Sequence, residues 1–483
     1  MRNRSSILLF SILCLFALTN CSNPTEQKSK LLNEKISRIE NGLRSNLQIQ
    51  YGDTISVQYY NIEKRMKELD IPGLSIAVLY EGKIEWAKGY GMADIFQNRE
   101  VTTTTLFQAG SISKPIAATR VHQLAEEDVI NLDTDVNDYL TSWKVPDNEF
   151  TAEEKVTPRR LLNHSAGLTV RGFPGYSIHD TVPNVIGVLN GKGNTEPIRV
   201  FRKPGEKVGY SGGGYTVMQQ MIVDIDQRSF PEIMQEKILN PLKMTSSTFE
   251  NPLPKKYHND ASAGYHSDGT EVIGKWHTYP EMAAAGLWTT PSQLLLWVHE
   301  IQQTLQTQKN GFLNTETVNE MLKDYGNNQG LGPYVVEHIF GHGGSDEGFV
   351  SDLRSWKEHP ISVAIMVNSD NANTIIQELF LSIAKEYNLP GIYSRTRKFK
   401  ELSHQNLMKY IGKYQFDNNM ATITIKENGL EFTGGPASSP IFLLPESDTK
   451  FFSKKTGLYF SFNSNESSIT GVEVVGYKAK KIE

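Results

Sequence analysis

A serine three residues ahead of a lysine can do nucleophilic chemistry, because on a helix the two side chains share a face and the amine reaches the hydroxyl. The chain has this spacing at Ser111/Lys114, at Ser382/Lys385 and at Ser447/Lys450, so context must choose among them. In FQAGSISKPIAATRVHQLAEE (107–127) the pair stands where a helix begins at about Ser111: Pro115 suits a first turn, and Ile116, Val121 and Leu124 recur on one face. Burial and the positive helix end disfavour an ammonium there, leaving an amine able to take the hydroxyl proton. Ser382 and Lys385 come late in their helix, where the dipole favours a charged lysine, and Ser447 and Lys450 fall in a turn. A rival serine, Ser211, sits in a literal Gly-x-Ser-x-Gly, Gly209 to Gly213. That elbow needs a buried strand directly before the serine, whereas Pro204, Gly205, Glu206 and Lys207 precede it here. Ser111 is the expected nucleophile and Ser211 the decoy.

The elements that must hold these residues follow from hydrophobic pattern. IPGLSIAVLYEGKIEWAKGYGMAD, from Ile71, reads as two strands joined at EGK, and ISVAIMVNSD (361–370) as a buried strand followed by a helix in NANTIIQELFLSIAKEYNL. PRRLLNHSAGL (158–168) and GLWTTPSQLLLWVHEI (286–301) read as helical segments beside Gly or Thr/Pro breaks. Strands at both ends with helices between imply an α+β domain, an antiparallel sheet flanked by helices, over 45–395. SRTRKFKEL, near 395, reads as a basic linker, and the short alternating runs beyond it as a small all-β module over 400–483, barrel or sandwich.

Five motifs in order, SISK, VTPRRLLNHSAGL, GYSGGGY, AAAGLWTTPSQL and GHGGSDEGF, together resemble the serine β-lactamase superfamily, specifically enzymes of class C type, DD-peptidases and related esterases. The resemblance covers most of 45–390. It implies Ser111 as the acylated nucleophile, Lys114 as its base partner, and Tyr210 of the Tyr-x-Asn-like Tyr210-Ser211-Gly212 as proton shuttle to the leaving group. By type alone Tyr210 is equally a packed tyrosine, His342 a turn residue, and His164 the holder of its own loop. Such enzymes also carry a Lys- or His-x-Gly strand beside the serine. Lys455-Thr456-Gly457 and His342-Gly343-Gly344 both fit, but only after His342 does a hairpin follow, FVSDLRSW, a turn at KEHP, and ISVAIMVN. The resemblance therefore places His342, Gly344 and Ser345 along the substrate, with the Ser111 and Ser345 amides as oxyanion donors. Gly212 stands where relatives have an Asn that binds the acyl-amide carbonyl. Its absence implies weak β-lactamase activity, better cleavage of simple esters or small amides, and room there for a bulkier acyl group. The C-terminal module, opening with YIGKYQF, resembles the lipocalin-like barrel of such proteins, with a role in covering the cleft or holding a ligand. A protein that keeps this fold only to bind a peptide or cell-wall ligand is the competing expectation.

Bulk properties narrow the partners. The 39% apolar and 21% charged residues mark a folded chain, and the net charge of −5 without a basic cluster argues against nucleic acid. No pair of His at helical metal-ligand spacing with a Glu occurs, so neither metal nor cofactor is expected, and the partner is a small-molecule or peptide substrate. Arg2 and Arg4 precede an apolar run from Ile7 to Leu18 ending in LTNC. That reads as a signal peptide (1–20) followed by a tether over 21–44; LTNC resembles the bacterial lipobox, which implies lipidation at Cys21 and export to the periplasm or an outer-membrane-anchored state in a bacterium, the alternative being a plain secretory signal cut near Cys21. Both cysteines, Cys14 and Cys21, lie in this region, so the body has no disulfide.

Overall fold

The computed structural model describes residues 24–483 apart from Asn418, Ser438, Glu466 and Ser467. The leader and Cys21 lie outside the described residues. From Pro24 the expected tether is a helix, α1 (Pro24–Glu40), exposed at its start and anchored at its end by buried Ile39 and an Arg38–Glu386 ion pair. Among the described residues no helix is long and apolar enough to cross a membrane.

The central sheet contains β1 (Gly73–Tyr80), β2 (Lys83–Asp94), β3 (Arg99–Glu100), β4 (Tyr334–Val336), β5 (Ile339–Asp346), β6 (Phe349–Trp356) and β7 (Ile361–Val367). All neighbours are antiparallel, in the order β4-β5-β6-β7-β1-β2-β3. The β1–β2 turn, at Glu81 (φ 49°) and Gly82 (φ 77°), has the two successive positive φ values that match hairpin twist. Alternation along β1 divides two cores: Ala77 and Leu79 face one, Ile76 and Val78 the other. Both faces are covered, which is why β1 and β7 read as continuous apolar runs.

Among the described residues the longest helices besides α1 are α2 (Ser113–Glu126), α3 (Gly212–Asp226), α4 (Pro291–Thr307) and α5 (Asn373–Glu386). On one face, α2, α3 and α4 build the larger core around Ile116, Met218, Leu294 and Trp297. On the other, α5 places Ile375, Ile376, Leu379 and Ile383 against Ile76, Val78, Val363 and Ile365, each side chain contributing about 2 kcal/mol by burial. Thr290 caps α4 by accepting from the Gln293 amide, with Pro291 first in the helix. The helix expected over 158–168 is shorter, Pro158–Leu162, and stops as His164 takes φ 59°.

Part of the basic stretch expected as linker is a strand: Arg395–Phe399 pairs in parallel with Leu47–Tyr51. Beyond it, β8 (Gly412–Gln415), β9 (Met420–Lys426), β10 (Gly429–Gly434), β11 (Ile441–Pro445), β12 (Lys450–Ser453), β13 (Tyr459–Ser464), β14 (Ile469–Val474) and β15 (Tyr477–Lys481) form a closed barrel. Phe451, Phe462, Tyr410 and Tyr414 fill it in edge-to-face contacts, so its interior is a packed core.

Candidate active site

Ser111 belongs to a tight turn, Gly110–Ile112, that feeds directly into α2. Gly110 has φ 53°, and a Cβ there would stand 2.5 Å from the Ser345 amide nitrogen. A Cβ on Gly344 would overlap the Ala109 carbonyl oxygen, which also accepts from Ser351 Oγ at 2.8 Å. Strand β5 thus meets the serine turn at backbone contact, which only glycine permits, and the Ser345 amide is carried against the turn holding Ser111. Ser113 Oγ donates to Gly110 O at 2.6 Å and accepts from Leu287 N at 3.0 Å, tying the helix start to the AAAGLW segment.

Lys114 is buried, with Nζ 2.9 Å from Ser111 Oγ and donating to the Ala284 carbonyl at 2.7 Å. The same Nζ lies 5.1 Å from the centre of the Tyr210 ring and 5.7 Å from that of Tyr215. Half-buried Tyr210 packs on His164 at 4.3 Å between centroids and faces His342 at 6.2 Å. The expected residues Ser111, Lys114, Tyr210, His342, Gly344 and Ser345 are therefore gathered at one place. A cleft of about 300 Å³ reaches Ser111 from the side of β5 and β6, lined by Gly343, Gly344, Ser345, Asp352 and Asn373; Lys114, Tyr210 and His342 do not line it.

The decoys have structural duties. Ser211 caps α3, its Oγ accepting from Gly214 N at 3.0 Å and donating to Thr169 O at 2.9 Å. Ser382 Oγ donates to Ile39 O, Ser447 Oγ accepts from Lys450 N, and Lys455 is exposed in a barrel turn. His164 does more than hold its loop: its Nδ1 accepts from Ser211 N at 3.2 Å, and its ring supports Tyr210.

The electrostatics keep both histidines neutral. Burial first, then the Lys114 charge, lowers His342 to about 4, and the same two causes with His342 beside it hold His164 well below the usual imidazole range. His342 Nδ1 lies 2.5 Å from the Gly343 carbonyl, so that nitrogen carries the proton and Nε2 is an acceptor.

One expectation at the site is overturned. The space beside Gly212 is not open, because a Cβ there would stand 2.9 Å from the Phe173 ring and 3.1 Å from the Arg171 carbonyl, which already accepts from Gly212 N at 3.0 Å. The 171–173 loop occupies the place in which a bulkier acyl group was expected to fit.

Two acidic residues escaped the sequence reading. Glu281 is 0% exposed, neither of its carboxylate oxygens has a hydrogen-bond partner, and burial raises it to about 7. Its carbonyl accepts from Ala284 N and Ala285 N, shaping the turn that offers Ala284 O to Lys114. Asp346, at the end of β5, is pushed well up by burial while Lys114 and the Gly110 amide pull it down. Helical spacing also could not show His266, Glu347 and Asp370, drawn from three segments, whose ligand-type atoms lie within 4.8 Å of one another. By type they could hold a cation; in the structure His266 Nδ1 lies 3.2 Å from Glu347 and 3.5 Å from Asp370, tying the β5–β6 tip to the segment after β7.

The profile of the Beta-lactamase family matches residues 61–386. The chain belongs to the beta-lactamase family. It is 25% identical over 360 residues to Protein flp of Staphylococcus aureus, covering 70% of this chain and 68% of that one. It is 24% identical over 345 residues to a teichoic acid D-alanine hydrolase of Staphylococcus aureus, covering 69% and 80%. The octameric penicillin-binding protein homologue from Pyrococcus abyssi shares the fold with a TM-score of 0.59 at 22% identity, over 86% of this chain and 98% of that one. FmtA from Staphylococcus aureus does so with 0.54 at 21%, over 69% and 89%.

Proposed function

We propose that this beta-lactamase-family protein is an exported serine hydrolase that cleaves an ester or small amide through an acyl-enzyme at Ser111. The observation that carries the reading is Lys114 Nζ at 2.9 Å from Ser111 Oγ, at a cleft-facing turn against which β5 is packed. In the reactive form, with Lys114 unprotonated, Ser111 Oγ attacks the substrate carbonyl carbon as its proton passes to the Lys114 amine. The carbonyl oxygen becomes an oxyanion facing the Ser111 and Ser345 amides. Collapse of this adduct breaks the bond to the leaving group, which takes a proton from Tyr210; Lys114 returns the proton to Tyr210. Water then adds to the acyl carbon and releases the acid, restoring Ser111. Neutral His342 adds no positive charge beside Lys114 and presents Nε2 to the substrate.

Gly212 supplies no side-chain amide and Phe173 fills the space, so acyl-amide recognition of the β-lactam kind is weak and esters are the favoured class. The relative named as a teichoic acid D-alanine hydrolase makes a D-alanyl ester the first substrate to try. The apolar run from Ile7 and Cys21 support a location outside the cytoplasm with a lipid anchor. Labelling with a fluorophosphonate tests the mechanism. Wild type and Ser211→Ala are expected to label and Ser111→Ala not, all three with the same unfolding transition; label retained in Ser111→Ala refutes the assignment.

A further inference from the structure

The turns at the two ends of the C-terminal barrel are unlike. At one end, the β9–β10, β11–β12 and β13–β14 turns hold no apolar residue and include the acids Glu427, Glu446 and Asp448. At the other end the β10–β11, β12–β13 and β14–β15 turns converge. Pro436 and Ala437 of the first, Thr456 and Leu458 of the second, and Val475 and Tyr477 of the third line one apolar depression of about 260 Å³. Met420, at the start of β9, joins them, because its carbonyl accepts from Gly435 N at 2.8 Å. These side chains remain in solvent: Val475 is 67% exposed, Tyr477 60%, Met420 51% and Leu458 44%. Exposed Lys454 and Lys455 share the turn of Leu458. The other charges at this end are Asp417 on the β8–β9 turn and Lys478, 3.8 Å from Glu473.

Val475 supplies an independent sign of an outside contact. The two-residue turn Val475-Gly476 has φ 49° and 82°, a form that favours Asn or Asp before Gly. A β-branched side chain in the left-handed region is strained. Among the described non-glycine residues with positive φ, only Val170 and Val475 are β-branched. Val170 is buried in the larger core, where packing offsets the strain; Val475 stands in water, where it cannot. A strained apolar residue at the tip of an exposed turn points to a contact made outside the chain.

A bilayer interface fits the chemistry of this end. Apolar tips enter the headgroup region, a tyrosine ring suits the boundary between apolar and wet, and lysines meet lipid phosphates. Four apolar side chains are few against the roughly 20 to 30 residues a side of a specific protein interface. We propose that this end of the barrel is a membrane-contact surface, with Met420, Leu458, Val475 and Tyr477 entering the headgroup layer of an anionic bilayer and Lys454 and Lys455 facing its phosphates. The acidic turns then point away from the membrane.

The test uses the chain begun at Ser22, which removes the leader and any lipid on Cys21 and contains no cysteine. Co-sedimentation measures its partition onto vesicles of phosphatidylcholine alone and of phosphatidylcholine with an equal part of phosphatidylglycerol. The expected partition coefficient is at least ~10-fold higher on the anionic vesicles and falls as salt rises. Lys454→Gln and Lys455→Gln should each lower it about 5-fold. Val475→Asn should lower it by a similar ~5-fold while leaving the urea midpoint unchanged or higher, because Asn suits the turn. An NBD dye on Tyr477→Cys should shift to the blue on anionic vesicles, and the same dye on Asn428→Cys, in the β9–β10 turn, should not. No partition onto either vesicle, equal partition onto both, partition untouched by the lysine and Val475 variants, or equal shifts of the two dyes overturns the proposal. A shift at residue 477 that needs concentrated protein and no lipid overturns it too, and gives the surface to a second copy of the chain.

Discussion

Replacing Glu281 by Gln should uncover a pH dependence of stability that the wild type conceals. Burial raises the Glu281 carboxyl from an ordinary 4.5 to about 7. At about 1.4 kcal/mol for each tenfold change, this corresponds to roughly 3 kcal/mol. The folded state holds this proton more tightly than the unfolded chain, so the contribution is complete below pH 4.5 and lost as pH rises through about 7. His342 works with the opposite sign. Its fall from 6.5 to about 4 means the unfolded chain binds the proton more tightly, so stability is complete above pH 6.5 and roughly 3 kcal/mol is lost on acidification toward pH 4. Asp346 shifts in the direction of Glu281, and His164 in that of His342. Between pH 4.5 and 7 the two sets offset each other in the wild type.

Urea unfolding followed by tryptophan fluorescence from pH 4 to 8 separates them. The stability of Glu281→Gln minus that of wild type should grow by roughly 3 kcal/mol between pH 4.5 and 8, most of it from 5 to 7. The corresponding difference for His342→Gln should grow by a similar amount in the other direction, from pH 7 down to 4. The constant cost of placing an amide at either position cancels in these slopes. Differences that stay within about 0.5 kcal/mol across the range would refute the assignment of both groups as buried titrating residues.

Tyr210→Phe should lower ester turnover by ~10² to 10⁴-fold at unchanged stability, the usual contribution of a positioned proton donor; a change of less than a few-fold in steady-state assays would make Tyr210 a packing residue. Phe173→Ala should widen the acyl side of the cleft and raise the relative rate on butyryl over acetyl p-nitrophenyl esters by about 10-fold, the worth of roughly one or two methylenes. An unchanged chain-length profile would show that Phe173 does not bound the acyl site.

The serine helix was legible because its signals are local. Pro115 in the first turn and the apolar face at Ile116, Val121 and Leu124 act within a few residues of Ser111, and the β1–β2 turn declares itself through Glu81 and Gly82. Pairings between distant segments were not. Arg395–Phe399 is charged and reads as linker, yet it becomes a strand because Leu47–Tyr51, more than 340 residues earlier, offers a parallel edge. The first turns of α1 are polar and carry the pattern of a tether; what orders its end is Ile39 entering a core built by α5. Glu281 lay hidden for a related reason: nothing beside it in PEMAAAG declares burial, which comes from residues remote in sequence.

The Gly212 position shows how far a motif can be carried. The sequence establishes that an Asn is missing, and the inference of empty space followed from the missing volume alone. Interiors are close-packed, however, so a lost side chain is normally replaced by a neighbour. Here the replacement is the 171–173 loop, whose Arg171 carbonyl accepts the Gly212 amide while Phe173 lies over the glycine. That loop turns a neutral amide site into one bounded by an aromatic ring, with a guanidinium beside Tyr210. The substitution of one residue for glycine is thus linked to the contents of a loop some 40 residues earlier, and the pair must be varied together. Gly212→Asn alone meets the Phe173 ring; with Phe173→Ala that contact is gone, and a shift of a few tenths of an ångström at the Arg171 carbonyl, 3.1 Å from the new Cβ, is what an amide then needs to restore acyl-amide recognition.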